Sequence, residues 1–308
     1  MEYDLLNKIK KVFTVDNFIN SKTLHYRNHL NMNLSEINVN TINSKYSRYV
    51  FEYIKRDINE KLIYPILTVK IKENSNKESI IYLEASNKFK SNDFKIISSL
   101  LSNYSKNLNY NLIKLDIKTD KVYNIINIKS LQEIFLGKSF EIKIDIFSRN
   151  NYFISKQIYE YINLLITKGE LLLCFGRDVI IPSSININFK HIKVISHKQN
   201  IINEISDNRN IEAVHKNKNE YHLVLNNINK NLDITVFISS GRKGLNDLFI
   251  EELSKFKKLK IIVIWCVIDE LLRDYQKLVN IGFTLKNCNV FNEHPCTNYL
   301  TSILNFQK

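Results

Sequence analysis

The chain of 308 residues is 44% hydrophobic and 24% charged, a composition that excludes a wholly disordered protein and allows one or two domains with real cores. Lys and Arg exceed Asp and Glu by a formal net charge of +13, which is spread through both halves of the chain. A polyanion such as nucleic acid is therefore a favoured partner. The longest apolar run, Ile261–Ile268, is far shorter than a membrane span requires.

The first residues, MEYDLLNKIKKVF, place apolar side chains on one stripe, which predicts an amphipathic helix and not a signal peptide. The four cysteines form no C-x-x-C pair, and the seven histidines show no H-E-x-x-H spacing. The sequence therefore predicts no metal site. Together these features predict a cytoplasmic protein.

The first half alternates apolar and polar residues as strands do. Strands are predicted over Leu62–Ile71, Ser79–Glu84 and Leu112–Ile117, and a helix over Asp93–Asn103. This pattern predicts an α+β domain with an antiparallel sheet over residues 1–135.

The second half alternates short apolar runs with helical patterns. After a strand over Ser139–Ile146 and a helix over Ser155–Thr167, apolar runs occupy residues 171–175, 192–195, 232–238 and 259–266. Strands separated by helices predict a parallel sheet with right-handed crossovers. The last two strands, Cys288–Phe291 and Tyr299–Phe306, predict a closing antiparallel hairpin. Residues 136–308 are thus predicted to form a Rossmann-like α/β domain.

Several short motifs follow one another in a defined order. They are HYRN at 25–28, FSRNN at 147–151, SSGRKGL at 239–245, WCVI at 265–268 and PCTNYLT at 295–301. In order and spacing they resemble the tRNA (uracil-5-)-methyltransferase family, whose members join an N-terminal RNA-binding part to a C-terminal methyltransferase domain. The resemblance covers residues 20 to 306 and implies that the first domain is of an RNA-binding type.

Each motif matches the family pattern in part. The family's Asp-Pro-Pro-Arg-x-Gly-Leu keeps Arg242, Gly244 and Leu245 but has lost the acid and both prolines. The family's Phe-x-Gln-x-Asn has Arg149 in place of Gln. The sequence therefore resembles a degenerate member of that family.

The resemblance implies a nucleophilic thiolate that adds to a pyrimidine ring, and a carboxylate that removes the proton. Cys266 matches the nucleophile, but it follows an apolar strand, where burial would raise the pKa of its thiol, so we predict a packed and inactive remnant. Thr301 stands at the carboxylate position. Glu293 is near in sequence but precedes Pro295 and is expected to point elsewhere. No general base is predicted.

The loop after the first strand of the second domain does not resemble a cofactor loop. Gly176 is the single glycine of Gly176–Pro182, and bulky residues follow it. Ser196, His197 and Lys198 follow the second strand, where an acid usually binds ribose hydroxyls. We therefore expect no cofactor, and S-adenosylmethionine only if the chain is an active enzyme.

RNA binding is the function expected to remain. Arg27, Arg149, Arg242 and Lys243 lie at family motif positions and could neutralise phosphates, while Tyr26 could stack on an unpaired base.

The leading hypothesis is a non-catalytic tRNA-binding protein. Its Asn, Lys and Ile bias suits an AT-rich selfish element, on which it could be an immunity protein that shields tRNA from a tRNA-cleaving toxin or neutralises that toxin. Two alternatives stay open: an active methyltransferase dependent on S-adenosylmethionine, and a protein–protein inhibitor or accessory module that does not bind RNA.

Overall fold

The computed structural model describes residues 2–21, 27–35, 43–62, 66–86, 88–119, 123–126, 130–185, 188–206, 208, 210–295 and 297–308. Its contacts form two compact units: the split unit, Met1–Ser21 with Ile154–Lys308, and the central unit, Lys22–Phe153. This division differs from the boundary predicted at 135/136. The amphipathic helix predicted at the N-terminus is present, but it belongs to the split unit together with the C-terminal half of the chain.

The split unit contains an eight-stranded sheet in the order β1-β14-β15-β13-β12-β9-β10-β11. Its strands are β1 Asn17–Asn20, β9 Gly169–Phe175, β10 Phe189–Ser196, β11 Ile211–His215, β12 Ile234–Gly241, β13 Leu259–Trp265, β14 Thr284–Asn292 and β15 Thr301–Gln307. The ladders β1–β14, β13–β12, β12–β9, β9–β10 and β10–β11 are parallel, while β15 is antiparallel to both β13 and β14. The predicted mostly parallel sheet with a closing antiparallel hairpin is confirmed.

Helices separate most of these strands. They are α1 Glu2–Lys10, α4 Tyr152–Leu165, α5 Ile180–Ile185, α6 Gln199–Ser206, α7 Tyr221–Asn226, α8 Asp247–Ser254 and α9 Ile268–Asn280, with a 3₁₀ turn at Lys218–Glu220. The central strands read as unbroken apolar runs because a parallel sheet is covered on both faces. Strand β13 shows this: Ile261, Ile262, Val263 and Trp265 are all fully buried.

The central unit holds a five-stranded sheet in the order β2-β3-β4-β5-β6. It comprises β2 His29–Asn33, α2 Lys45–Tyr53, a π-helical segment Ile54–Glu60, β3 Ile66–Glu73, β4 Glu78–Ala85, α3 Ser91–Asn107, β5 Asn111–Lys118 and β6 Tyr123–Ile126. A separate hairpin pairs β7 Gln132–Phe135 with β8 Lys138–Glu141.

The purely antiparallel sheet predicted for this region is wrong in one place. Strands β4 and β5 pair in parallel, while the other ladders of this sheet are antiparallel. The 17-residue helix α3 connects β4 to β5 and is long enough for a crossover, so the second strand can enter in the same direction as the first. The strand predicted over Ser139–Ile146 is also shorter, because β8 ends at Glu141.

Candidate functional site

The strand order of the split unit indicates which edge of its sheet would bind a ligand. The strand order changes direction between β9 and β12, which lie side by side and parallel. In open α/β sheets ligands bind outside the carboxyl ends of the strands at such a switch point. The residues that follow β9, β10, β11, β12, β13 and β14 are therefore the candidate site, here called the carboxyl edge.

The turn after β9 approaches β12 closely. Gly176 has a φ of +117°, and a Cβ at this position would stand 2.4 Å from the carbonyl oxygen of Ser239. Asp178 is buried and accepts a hydrogen bond of 2.7 Å from the hydroxyl of Tyr159, and Val179 is fully buried. The single glycine of this loop is thus required by packing of the loop on β12.

A cation follows each of four neighbouring strands at this edge. Arg177 follows β9, Lys198 follows β10, Lys218 follows β11 and Lys243 follows β12. Arg177, Lys198 and Lys243 are exposed, whereas Lys218 is half-buried. We call these residues the strand-end cations.

The strand-end cations lie near enough to influence one another. Burial, Arg177 and Lys243 lower the pKa of Lys218, while the thiol of Cys266 opposes this effect. Burial, Lys218, Lys198 and Arg177 lower the pKa of His197 to about 4, so this ring is neutral at pH 7. The ring Nδ1 of His197 lies 3.3 Å from the hydroxyl of Tyr221. This part of the edge has a positive potential.

A cavity of about 330 Å³ opens beside the end of β12, and Lys218 and Lys243 are among its lining residues. Two further cations on its wall are already held by acids. Arg273 donates to Asp274 at 2.7 Å and forms an ion pair with Glu270, and Lys277 is paired with Asp247.

The loop after β12 is fixed by a buried carboxylate of α9. Asp274 is fully buried and accepts hydrogen bonds from the backbone N–H of Leu245 at 2.7 Å and from the indole N–H of Trp265 at 2.9 Å. A Cβ on Gly244, whose φ is +67°, would stand 2.5 Å from both Asp274 and Arg273. Gly244 and Leu245 of the partial motif therefore have a packing role.

Cys266 follows β13 and is less enclosed than the sequence predicts. Its side chain is partly exposed, and its Sγ lies 3.6 Å from the carbonyl oxygen of Gly241. Cys174 and Cys288 are buried, and burial raises the pKa of both thiols. The prediction that Cys266 is packed in the core is wrong in this respect, since the buried strand ends at Trp265 and Cys266 lies just beyond it. Its inactivity stays a prediction.

The expectation that Glu293 points away from the site is wrong. Its carboxylate is buried and accepts a hydrogen bond of 2.7 Å from the hydroxyl of Thr301, the residue that stands at the family's carboxylate position. His294 Nε2 lies 3.8 Å from the same carboxylate oxygen. The cause is the hairpin register: Phe291 pairs with Thr301, so the residue two beyond Phe291 lies beside the start of β15.

The predicted RNA-binding residues have different environments. Arg242 and Lys243 are exposed, and the guanidinium of Arg242 lies over the ring of Tyr299 at 5.2 Å. In the central unit Arg27 is partly buried and its backbone bridges to Asn43, while Arg149 is buried and is not presented to a polyanion. Tyr26 lies outside the described residues. The structure brings Arg242, Lys243 and Cys266 to the carboxyl edge.

Within the described ranges no helix combines the length and apolarity needed to cross a bilayer. In the same ranges no group of His, Cys, Asp and Glu side chains is arranged to hold a metal ion.

The fold is similar to that of methyltransferases of known structure. The tRNA (uracil-54, C5)-methyltransferase of Pyrococcus abyssi, solved with S-adenosyl-L-homocysteine, aligns with 99% of this chain and 83% of its own, at a TM-score of 0.73 and 14% identity. A putative SAM-dependent methyltransferase of Streptococcus mutans aligns with 89% of this chain and 83% of its own, at a TM-score of 0.51 and 8% identity. No protein-family model matches the sequence, and no curated protein matches it. At these identities the similarity establishes a Rossmann-like methyltransferase fold.

Three features of the site were not predicted from the sequence: Lys218 in the cavity lining, His197 as a neighbour of three cations, and Asp274 as the buried carboxylate that fixes the loop after β12. A signal existed for Asp274, because Leu271, Asp274 and Leu278 are spaced as one buried face of a helix. A lysine shortly after a strand carries no such signal, since most are simply solvated.

Proposed function

We propose that this chain is a tRNA-binding protein that uses a methyltransferase fold without transferring methyl groups. The observation that carries the proposal is the set of cations after four neighbouring strands, at the edge where this fold class binds its ligands. Resemblance in sequence to tRNA uracil-5 methyltransferases supports tRNA as the polyanion, and the Pyrococcus abyssi protein of similar fold is a tRNA methyltransferase.

The residues of the carboxyl edge do not fit S-adenosylmethionine. The cofactor carries a sulfonium cation and ribose hydroxyls, and it needs acceptors at the strand ends. His197 and Lys198 follow β10, while His215 ends β11 and Lys216 follows it, so both positions lack a carboxylate. Cations at these positions repel the sulfonium at short range. Asp178, the acid nearest to the end of β9, is buried and bonded to Tyr159.

The same groups suit RNA. Arg242 and Lys243 are exposed side by side after β12, and Arg242 is oriented by its contact with Tyr299. Guanidinium and ammonium groups neutralise phosphates and release counter-ions, which makes binding sensitive to salt. Glu293 supplies a carboxylate near Thr301. A proton acceptor alone performs no methyl transfer, because the reaction also consumes a bound methyl donor.

Two double variants with the same change in charge test RNA binding. Arg242→Ala/Lys243→Ala removes two cations after β12, and Lys257→Ala/Lys258→Ala removes two exposed cations before β13, at the opposite edge of the sheet. We expect the first to weaken tRNA binding about tenfold or more and to reduce the salt dependence, and the second to change it little. Equal losses for both variants would indicate unspecific attraction by the net charge.

Calorimetry with S-adenosyl-L-homocysteine tests the non-catalytic part of the proposal. We expect no binding and no methyl transfer to tRNA. Micromolar binding, together with methyl transfer that Cys266→Ala abolishes, would establish the active enzyme instead.

A shielding role extends the proposal to immunity. Excess chain is expected to slow cleavage of tRNA by a tRNA-cleaving toxin, and Arg242→Ala/Lys243→Ala is expected to abolish this protection. Protection that survives the double variant would point to direct binding of the toxin.

A further inference from the structure

Lys218 is a cation that RNA binding by Arg242 and Lys243 leaves unexplained. It lies in the 3₁₀ turn after β11, lines the 330 Å³ cavity, and its Nζ is 3.1 Å from the point where a Cβ on Gly241 would stand. Within the described ranges its Nζ makes no hydrogen bond or ion pair. An ammonium that is half-buried without a counter-ion destabilises the fold, because it has lost part of its hydration.

The charge balance of the cavity favours an anion. Arg273 is neutralised by Asp274 and Glu270, and Lys277 by Asp247. The remaining cations of the lining, Lys218 and Lys243, give the cavity a surplus of positive charge. Arg177 and Lys198 act on Lys218 from the ends of β9 and β10 and strengthen this potential.

We infer that this cavity binds a phosphate group, with Lys218 as the principal charged ligand and Lys243 as the second. The compact ammonium of lysine binds phosphate as a point charge. The inference deepens the proposed function when the phosphate belongs to RNA, but the same chemistry would accept the phosphate of a free nucleotide. The cavity is large enough for a phosphate group of RNA or for the phosphate of a free nucleotide.

Titration with inorganic phosphate tests the site directly. His197 is a reporter, because its ring feels Lys218, Lys198, Arg177 and His215, and a bound phosphate would raise its pKa above its present value of about 4. The measurement follows the ring C–H signal of His197 by NMR, assigned with His197→Gln, at increasing phosphate. We expect a saturable upward shift in the titration midpoint.

Three substitutions distinguish phosphate binding at Lys218 from unspecific attraction of phosphate by the net positive charge. Lys218→Gln is expected to weaken phosphate binding roughly tenfold, Lys218→Arg to retain most of it, and the control Lys257→Gln to leave it unchanged. Thermal melts check that Lys218→Gln remains folded. An unchanged phosphate affinity in folded Lys218→Gln would overturn the inference, and so would an equal loss in Lys257→Gln.

Competition identifies the source of the phosphate. If the site serves RNA, tRNA displaces inorganic phosphate and Lys218→Gln weakens both ligands; if it serves a nucleotide, adenosine monophosphate displaces phosphate while tRNA does not. The second result would support the phosphate site and show that this site does not take part in the proposed tRNA binding. The opposite result is also distinguishable. If Arg242→Ala/Lys243→Ala loses tRNA binding while Lys218→Gln leaves phosphate affinity unchanged, the proposed function is supported and the phosphate site is contradicted.

Discussion

At the ends of β9, β10, β11 and β12 the strand-end cations face one another, whereas beyond β13 and β14 the edge holds carboxylates that are enclosed by donors. Asp274 accepts N–H groups from Leu245, Trp265 and Arg273, and Glu293 accepts the hydroxyl of Thr301. We call the part beyond β13 and β14 the acidic half and the part with the strand-end cations the basic half. The carboxylates of the acidic half have their hydrogen-bond donors within the fold and stabilise it. The basic half carries mutual repulsion that a ligand would relieve. The difference separates carboxylates that hold the sheet edge together from cations that lower one another's pKa.

The largest effect is expected in the acidic half. Asp274→Ala leaves two buried N–H donors without their acceptor and removes one of the two acidic partners of Arg273, so it is expected to lower the free energy of unfolding by about 3–5 kcal/mol. Asp269→Ala is the matched control on the same helix, because that side chain is 84% exposed and lies 3.9 Å from Lys8. Exposed pairs contribute little, so the control should change stability by less than about 1 kcal/mol. Urea denaturation of both variants checks this, and equal effects would contradict the distinction.

The close approach of β9 to β12 gives the next largest effect. Gly176→Ala places a Cβ against the Ser239 carbonyl at a φ of +117° and is expected to cost about 3 kcal/mol. Gly137→Ala in the β7–β8 turn is a control for conformation alone, since its φ is +75° and nothing lies within 4 Å of the added Cβ. About 1 kcal/mol is expected there. Similar losses from the two variants in thermal melts would show that the contact with Ser239 contributes nothing.

A smaller effect is expected from pH in the basic half. The pKa of His197 is about 4 in the fold and 6.5 in the unfolded chain. Between pH 6.5 and pH 4 the His197 ring is therefore protonated in the unfolded chain and neutral in the folded chain. The free energy of unfolding consequently falls as the pH decreases from 6.5 to 4. His197→Gln should make the decline in melting temperature between pH 7 and pH 4.5 shallower. An identical decline in wild type and variant would show that burial and the strand-end cations do not lower the pKa of His197 in the fold.

The smallest perturbation is chemical modification at the boundary between the two halves. In a Cys296→Ser background, iodoacetamide is expected to label Cys266 in the native protein, and Cys174 and Cys288 only after unfolding, because burial raises the pKa of those two thiols. Mass spectrometry of the labelled peptides measures the order. Labelling of Cys174 before Cys266 would contradict the partly exposed position of Cys266.

Regular apolar patterns predicted the fold of the split unit well. The runs that became β9, β10, β12 and β13, and the closing hairpin, follow from strands that are buried on both faces. Alternation within β4 and β5 does not give their direction. The helical pattern between them was the available signal for a parallel pair, and the antiparallel prediction did not use it.

The candidate site was predictable only in part. Cys266, Arg242 and Lys243 were found by motif and lie at the carboxyl edge, while Glu293 was misplaced because its direction depends on the pairing of Phe291 with Thr301. Lys218 was not predicted, because its place in the cavity depends on its proximity to Gly241, which is distant in sequence. Contacts of this kind arise from tertiary structure and leave no local pattern.

The pairing of β1 with β14 has a consequence for synthesis on the ribosome. Asp16 accepts a hydrogen bond from the backbone of Cys288 across 272 residues, and Asn17 pairs with Asn289. At a translation rate of about 5–20 residues per second, the first strand emerges roughly 15 to 55 seconds before its partner. The contiguous Lys22–Phe153 segment is complete long before then. In a nascent chain β1 thus stays without its sheet partner until β14 has been synthesised.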